Sequence, residues 1–186
     1  MTGLITLLAA VLAASTPALQ ASRPAVVEQL MGEWRGQGTV LGRASSITMV
    51  WESAVGDAFV RLRFRNEMAA GATQAAAVLE AHGYYRFSGG PMNNRGSWID
   101  SRGVVLPVVV TVADDALTSD WGDAQTEVGR TVYRLVAADT LEVVDSVRQA
   151  DGSYRQFGRS LVTRRVSGDV HVSTLYRDAI YLRAVE

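Results

Sequence analysis

Hydrophobic and polar residues alternate with a period of two along most of this chain, the spacing that puts successive side chains on opposite faces of a strand. In Gly32 to Val40, Trp34, Gly36, Gly38 and Val40 share one face, and Arg35, Gln37 and Thr39 share the other. Ser45 to Glu52 sets Ile47, Met49 and Trp51 against Thr48, Val50 and Glu52, and Phe59 to Asn66 sets Val60, Leu62 and Phe64 against Arg61, Arg63 and Arg65. Ala75 to Phe87 predicts a longer strand, whose Gly83 suggests a bulge or bend. Arg95 to Asp100, Val104 to Val112, Leu117 to Trp121, Glu127 to Val136, Leu141 to Arg148 and Tyr154 to Arg165 continue the series. Pro107 implies an edge position or an irregularity within its strand.

Turn residues divide these runs at Val55-Gly56-Asp57, Ser88-Gly89-Gly90-Pro91, Ser101-Arg102-Gly103, Asp123, Ala138-Asp139 and Asp151-Gly152. Ala69-Ala70-Gly71-Ala72 predicts a loop of small residues. The only early helical signal is Ala25 to Met31, two turns ahead of Trp34. About ten short strands, one small helix and no linker predict a single all-β domain over residues 22–165. A meander that closes into an up-and-down antiparallel barrel satisfies that pattern, because closure removes both exposed edges. An open sandwich is the competing arrangement. Residues 166–186 are less patterned; Val170 to Leu175 suits one more strand and Tyr176 to Ala184 a short amphipathic piece.

Residues 1–21 read as a signal peptide. Leu4 to Ala14 is an apolar core, and Ser15, Thr16, Pro17, Ala18 and Ala21 follow it, with cleavage after Ala18 or Ala21. The run is shorter than the about 20 apolar residues of a spanning helix, so the expectation is export to a periplasmic or extracellular space with no stable membrane anchor after processing. Composition then removes whole classes of chemistry. The chain has 186 residues and a net charge of −1, with no Cys. A near-neutral balance argues against nucleic acid as a partner, and the lack of Cys excludes disulfides, thiolate nucleophiles and Cys-ligated zinc. All 18 basic residues are Arg, which rules out lysine Schiff bases and lysine-bearing phosphate loops and leaves a side chain suited to carboxylates and aromatic faces.

Gly32-Glu33-Trp34-Arg35-Gly36-Gln37-Gly38 spells G-x-W-x-G-x-G. This opening resembles the G-x-W of the calycin superfamily (lipocalins and fatty-acid-binding proteins) and the longer form seen in nitrobindin-like haem proteins. The later segments around Leu79 to Arg86, Gly96 to Asp100 and Gly129 to Tyr133 resemble a group of small calycin-like bacterial proteins. In calycins the Trp closes one barrel end and a basic residue of the last strand packs across it. The resemblance therefore implies barrel closure by Gly32, Trp34, Gly36, Gly38 and Arg164 or Arg165. It also implies a pocket, without naming its ligand. Nitrobindin-like proteins hold haem iron through a histidine late in the barrel. His171 is the late histidine here, and His82 is the only other one.

Candidate binding residues follow from residue type and position. The aromatics Trp51, Tyr84, Trp98, Trp121, Tyr133 and Phe157 are spread one or two per strand, as a pocket lining or a core requires. Trp51, Trp98, Trp121 and Tyr84 are the selected wall residues. Arg61, Arg63 and Arg65 share a face that is either solvated or an anion clamp; burying all three without counter-charge is too costly, so Arg63 alone is taken as a ligand contact. Catalysis is not expected. Neither histidine lies near a G-x-S-x-G elbow, and Asp114, Asp115, Asp120 and Asp123 fall at turns. The expectation is a barrel that carries or sequesters a small apolar or amphipathic molecule without a cofactor or metal. The alternatives are a haem barrel handling nitric oxide or peroxynitrite, with His171 or His82 on the iron, and a structural barrel whose core is filled.

Overall fold

A computed structural model describes residues 23–87 and 94–165 of the chain. The signal-peptide segment, the turn at Ser88 to Pro91, and the tail 166–186 with His171 lie outside the described residues. One helix, α1 (Ala25–Leu30), precedes ten strands: β1 (Gly32–Val40), β2 (Arg43–Ala54), β3 (Phe59–Met68), β4 (Ala77–Arg86), β5 (Asn94–Asp100), β6 (Val105–Val112), β7 (Ala116–Trp121), β8 (Gly129–Ala137), β9 (Thr140–Arg148) and β10 (Tyr154–Arg165). Every strand pairs antiparallel with its sequence neighbours, and β1 pairs with β10, from Glu33 opposite Arg165 to Val40 opposite Gly158. The result is a closed up-and-down barrel with no free sheet edge, and the sandwich arrangement is excluded.

The closing seam explains two of the four motif residues directly. A Cβ on Gly36 would lie 1.9 Å from the Leu161 carbonyl oxygen, and one on Gly38 would lie 2.2 Å from the Arg159 carbonyl oxygen. These glycines admit the backbone of β10, so the barrel coils tightly where its first and last strands meet. Between β1 and β2, Leu41 and Gly42 both have positive φ (52° and 74°), which is the two-residue hairpin turn whose twist matches that of the flanking strands.

Two local expectations need correction. Gly83 makes no bulge: pairing runs unbroken through it, to Leu62 on one side and Trp98 on the other. Its missing side chain leaves room for Tyr85, whose hydroxyl would sit 2.6 Å from a Cβ there. Pro107 marks no edge either. A residue in an antiparallel strand turns its N–H and C=O toward the same neighbour. The Pro107 carbonyl accepts from the Gly122 N–H at 3.0 Å, just past the last β6–β7 pair, Val108 with Trp121. The missing donor thus falls at the very end of that ladder, where only the carbonyl is used.

Candidate functional site

The two ends of the barrel are built differently. At one end α1 lies across the opening. Six residues are too few to hold a helix alone, and α1 is held by burying Val26, Val27 and Leu30 against the barrel interior. Trp34 is fully buried beneath it and donates its indole N–H to the Leu30 carbonyl at 2.8 Å. The Arg164 guanidinium lies over the Trp34 ring, 4.2 Å from its centroid, and donates to the Met31 carbonyl at 2.5 Å and to the Gln29 carbonyl. One cation thus ties the last strand, the plug tryptophan and the end of the helix together. Arg165, the other candidate for this role, is exposed.

Above that plug the lumen is apolar and packed. Met49, Leu62, Val110, Leu117, Leu141 and Val162 are all fully buried there. Trp51 stacks on Tyr85 with centroids 5.5 Å apart and meets Tyr133 edge-on at 5.2 Å. Tyr85 and Tyr133 then begin a polar layer. Burial pushes the Tyr85 hydroxyl up to about 12, against hydrogen bonds from Tyr133 and Ser119 that act the other way. Burial likewise raises Tyr133, with the charges of Tyr85 and Asp145 adding to the effect. Both phenols are therefore neutral donors over the whole physiological range.

Next to this layer is an ionisable group in the interior. Asp145 points inward from β9, in the row Leu141, Val143, Asp145, Val147. The Thr131 hydroxyl of β8 donates to its carboxylate at 2.7 Å, and the Trp121 indole N–H donates to that hydroxyl at 3.3 Å. Burial raises the Asp145 carboxyl above its ordinary value, and the Thr131 hydrogen bond offsets only part of this. Protein surrounds Asp145 almost completely, and the residue keeps only part of its surface accessible. Inward-facing Phe64, Trp98 and Trp121 keep accessible surface too, and Phe64 and Trp98 pack at 5.6 Å. Two buried polar atoms among the described residues have no partner: the Trp51 indole nitrogen and the Asn66 side-chain oxygen. Asn66 is 2% exposed and continues the inward row Val60, Leu62, Phe64 on β3. An unpaired buried polar atom is costly, so each marks a place where a bound molecule or a water gains by entering.

An ion pair and a carbonyl-bound arginine brace the far rim. Trp98 donates its indole N–H to Asp100 at 3.1 Å, and the Arg102 guanidinium caps the same carboxylate at 2.6 Å. Burial alone would raise Asp100, but the Arg102 side-chain and backbone hydrogen bonds and the Trp98 hydrogen bond outweigh it and hold the carboxyl below its ordinary value. Arg43 binds the carbonyls of Met68, Ala69 and Ala75 and so pins the β3–β4 loop to this rim. A cleft of about 480 Å³ opens between Thr126 to Val128 and Val147 to Ala150 with Arg155. Its lining is mostly rim residues, with Arg155 opposite Val147 in the β9–β10 pairing.

The residues selected from sequence therefore divide. Trp51, Trp98 and Trp121 face inward; Trp51 belongs to the packed layer, whereas Trp98 and Trp121 are only partly buried against it. Tyr84 and Arg63 are on the outer wall and do not line the lumen. Tyr84 is one residue out of phase with inward Tyr85, and its hydroxyl accepts a hydrogen bond from Arg61. Arg63 donates to Glu52 at 2.8 Å, and Arg61 reaches the same carboxylate at 2.9 Å. Gly32 has φ 111°, a value favouring glycine, beside the Arg164 guanidinium. Asp145, Thr131, Asn66 and Tyr85 were not singled out, although a lone acid within Leu141-x-Val143-x-Asp145-x-Val147 is visible in the sequence as a polar break in an apolar row.

The haem expectation meets a geometric obstacle. His82 is exposed on the outer face of β4, its ring 6.2 Å from that of Tyr84, and cannot reach a group in the lumen. No described imidazole fits as an iron ligand there, and His171 lies outside the described residues.

No protein-family model matches the chain, and no curated protein does. Solved structures do. The crystal structure of Rv2717c from M. tuberculosis shares 19% identity with this chain, covering 81% of it and 99% of that protein, with a TM-score of 0.54. EF1p2_mFAP2b bound to DFHBI shares 9% identity over 80% of this chain and 100% of that one, with a TM-score of 0.45. The S-type phycobiliprotein lyase CPES from Guillardia theta shares 9% over 76% and 91%, with a TM-score of 0.48. At these identities the likeness to Rv2717c is one of fold, a closed antiparallel barrel.

Proposed function

We propose that this protein is a calycin-type barrel that binds a small, mostly apolar molecule in the part of its lumen bordered by Phe64, Trp98 and Trp121. One observation carries the reading. Inward-facing aromatic and polar side chains retain accessible surface beyond the packed layer, and the unpartnered Asn66 oxygen is buried on the same inward row as Phe64. Ligand sites have this composition, an apolar wall with a few oriented polar groups. The apolar segment at residues 4–14 supports export, so the role we assign is carriage or sequestration outside the cytoplasm, without catalysis.

Native mass spectrometry of the protein purified from its expression host tests this. A co-purifying small molecule, lost together with its mass shift in Trp121→Ala, is the expected result. Hemin and mixed fatty acids are added to the protein in parallel. A Soret band that persists in His82→Ala and disappears in His171→Ala would transfer the reading to a haem barrel. No bound mass, and no thermal stabilisation by any added compound, would identify a filled structural barrel instead.

A further inference from the structure

We infer that the lumen selects neutral or cationic ligands carrying a hydrogen-bond donor and rejects anions, with the Asp145 carboxylate as the selecting group. The inference rests on the binding function proposed above and adds the chemical class of the ligand. It departs from the expectation of an arginine clamp for a carboxylate.

The distribution of charge carries the argument. Among the described residues no arginine is buried. Arg61, Arg63, Arg65, Arg130, Arg134 and Arg159 each pair with a carboxylate on the outer wall. Three described arginines have inward register at the barrel ends: Arg164 is engaged on Trp34 and two carbonyls, Arg43 on three carbonyls of the β3–β4 loop, and Arg155, opposite Val147, is exposed to solvent at the mouth. Asp100, at the rim, is neutralised by Arg102. Among the described residues Asp145 has no such partner; its one side-chain hydrogen bond there is from Thr131, and that hydroxyl is oriented by Trp121.

An anion that reaches Asp145 meets a carboxylate with no buried cation beside it among the described residues; Arg155 stands at the exposed mouth, where solvent screens its charge. In a low-dielectric lumen that repulsion acts with little screening. A cationic or hydroxyl-bearing molecule meets an acceptor already held in place by Thr131. The Asn66 carbonyl oxygen, inward on β3, is a second unpartnered acceptor in the interior. The neutral phenols of Tyr85 and Tyr133 add no charge that would reverse the preference. The seat is built around this acid: Trp121 lies on Gly129, where a Cβ would come within 2.1 Å of the indole ring, and Gly158 faces the carboxylate, where a Cβ would come within 2.9 Å. Both glycines leave the space that Asp145 and Trp121 occupy.

Three probes of one shape test the inference: benzylamine, benzyl alcohol and benzoate, titrated at pH 8 into the ¹⁵N-labelled full-length protein and followed by amide chemical shifts. Benzylamine and benzyl alcohol are expected to move the amides of Thr131, Asp145 and Asn66, at affinities at least tenfold above that of benzoate. In Asp145→Asn the three affinities should converge to within about threefold while the alcohol still binds, which shows that the lumen remains intact. Benzoate binding as well as benzylamine, or an unchanged preference in Asp145→Asn, overturns the selectivity and leaves the binding function standing. If none of the probes moves the lumen amides, the binding function and the selectivity fall together.

Discussion

Closing the barrel through β1 and β10 makes Gly36 a position where a single methyl group does heavy damage. The ideal Cβ of an alanine there would sit 1.9 Å from the Leu161 carbonyl oxygen and 2.6 Å from the Val162 Cα. Both contacts are backbone, so no rotamer change relieves them. The strands must part by about 1 Å, which takes hydrogen bonds of ordinary length beyond bonding range. Two ladder bonds at about 1 kcal/mol each, with about 1–3 kcal/mol of overpacking strain, oppose a gain of about 0.5–1 kcal/mol from replacing a strand glycine. The net expectation for Gly36→Ala is a loss of about 2–4 kcal/mol. Urea unfolding followed by tryptophan fluorescence reads it as a midpoint lower by about 1–2 M, given a slope of about 2 kcal/mol/M. Gly71→Ala is the control, because its Cβ would have no neighbour nearer than 3.7 Å in the β3–β4 loop, and it should change stability by less than about 0.5 kcal/mol. A Gly36→Ala protein as stable as the Gly71→Ala control would refute the tight closure of β1 on β10.

Three further expectations follow from the interior. Asp145 is held above its ordinary value, so the folded protein keeps a proton that the unfolded chain releases, and stability falls as pH rises from the ordinary carboxylate range through the raised one. Asp145→Asn removes that dependence; its melting temperature should exceed the parent's by several degrees at pH 8 and match it near pH 4, and equal offsets at both pH values would contradict the assignment. Arg164→Lys keeps the charge but not the planar fork that spans Trp34 and two carbonyls, and should cost about 1–3 kcal/mol in the same urea assay. Finally, Arg63→Ala and Tyr84→Phe, both on the outer wall, should leave benzyl alcohol affinity within about twofold, whereas Trp121→Ala should lower it at least tenfold.

How far the sequence could be read depended on the range of the interaction involved. Strand alternation is a local property, and Ile47, Met49 and Trp51, or Val60, Leu62 and Phe64, turn to one face because the pleat has a period of two wherever the strand goes. The ten strands, the leading helix and the all-antiparallel closure were legible for that reason. Arg61, Arg63 and Arg65 were legible as one face but not as a side; only the pairing with Glu52, Glu67 and Glu80 puts them outside. Gly83 and Tyr84 show where local reading ends. A glycine inside a strand is ambiguous until the side chain that needs its space is known, and here that side chain is Tyr85, two residues on. The same limit hid the site. Asp145, Thr131 and Trp121 come from β9, β8 and β7, and their hydrogen-bond chain exists only because three successive strands bring inward residues to adjacent positions. The sequence by itself determined the strands and which residues share a face, since these depend on the alternation of apolar residues, and its G-x-W-x-G-x-G resemblance implied the Trp34 plug. Tertiary structure alone decided which polar residues face the lumen and which charges are left unpaired there, because pairing across strands is a property of register that no single segment contains.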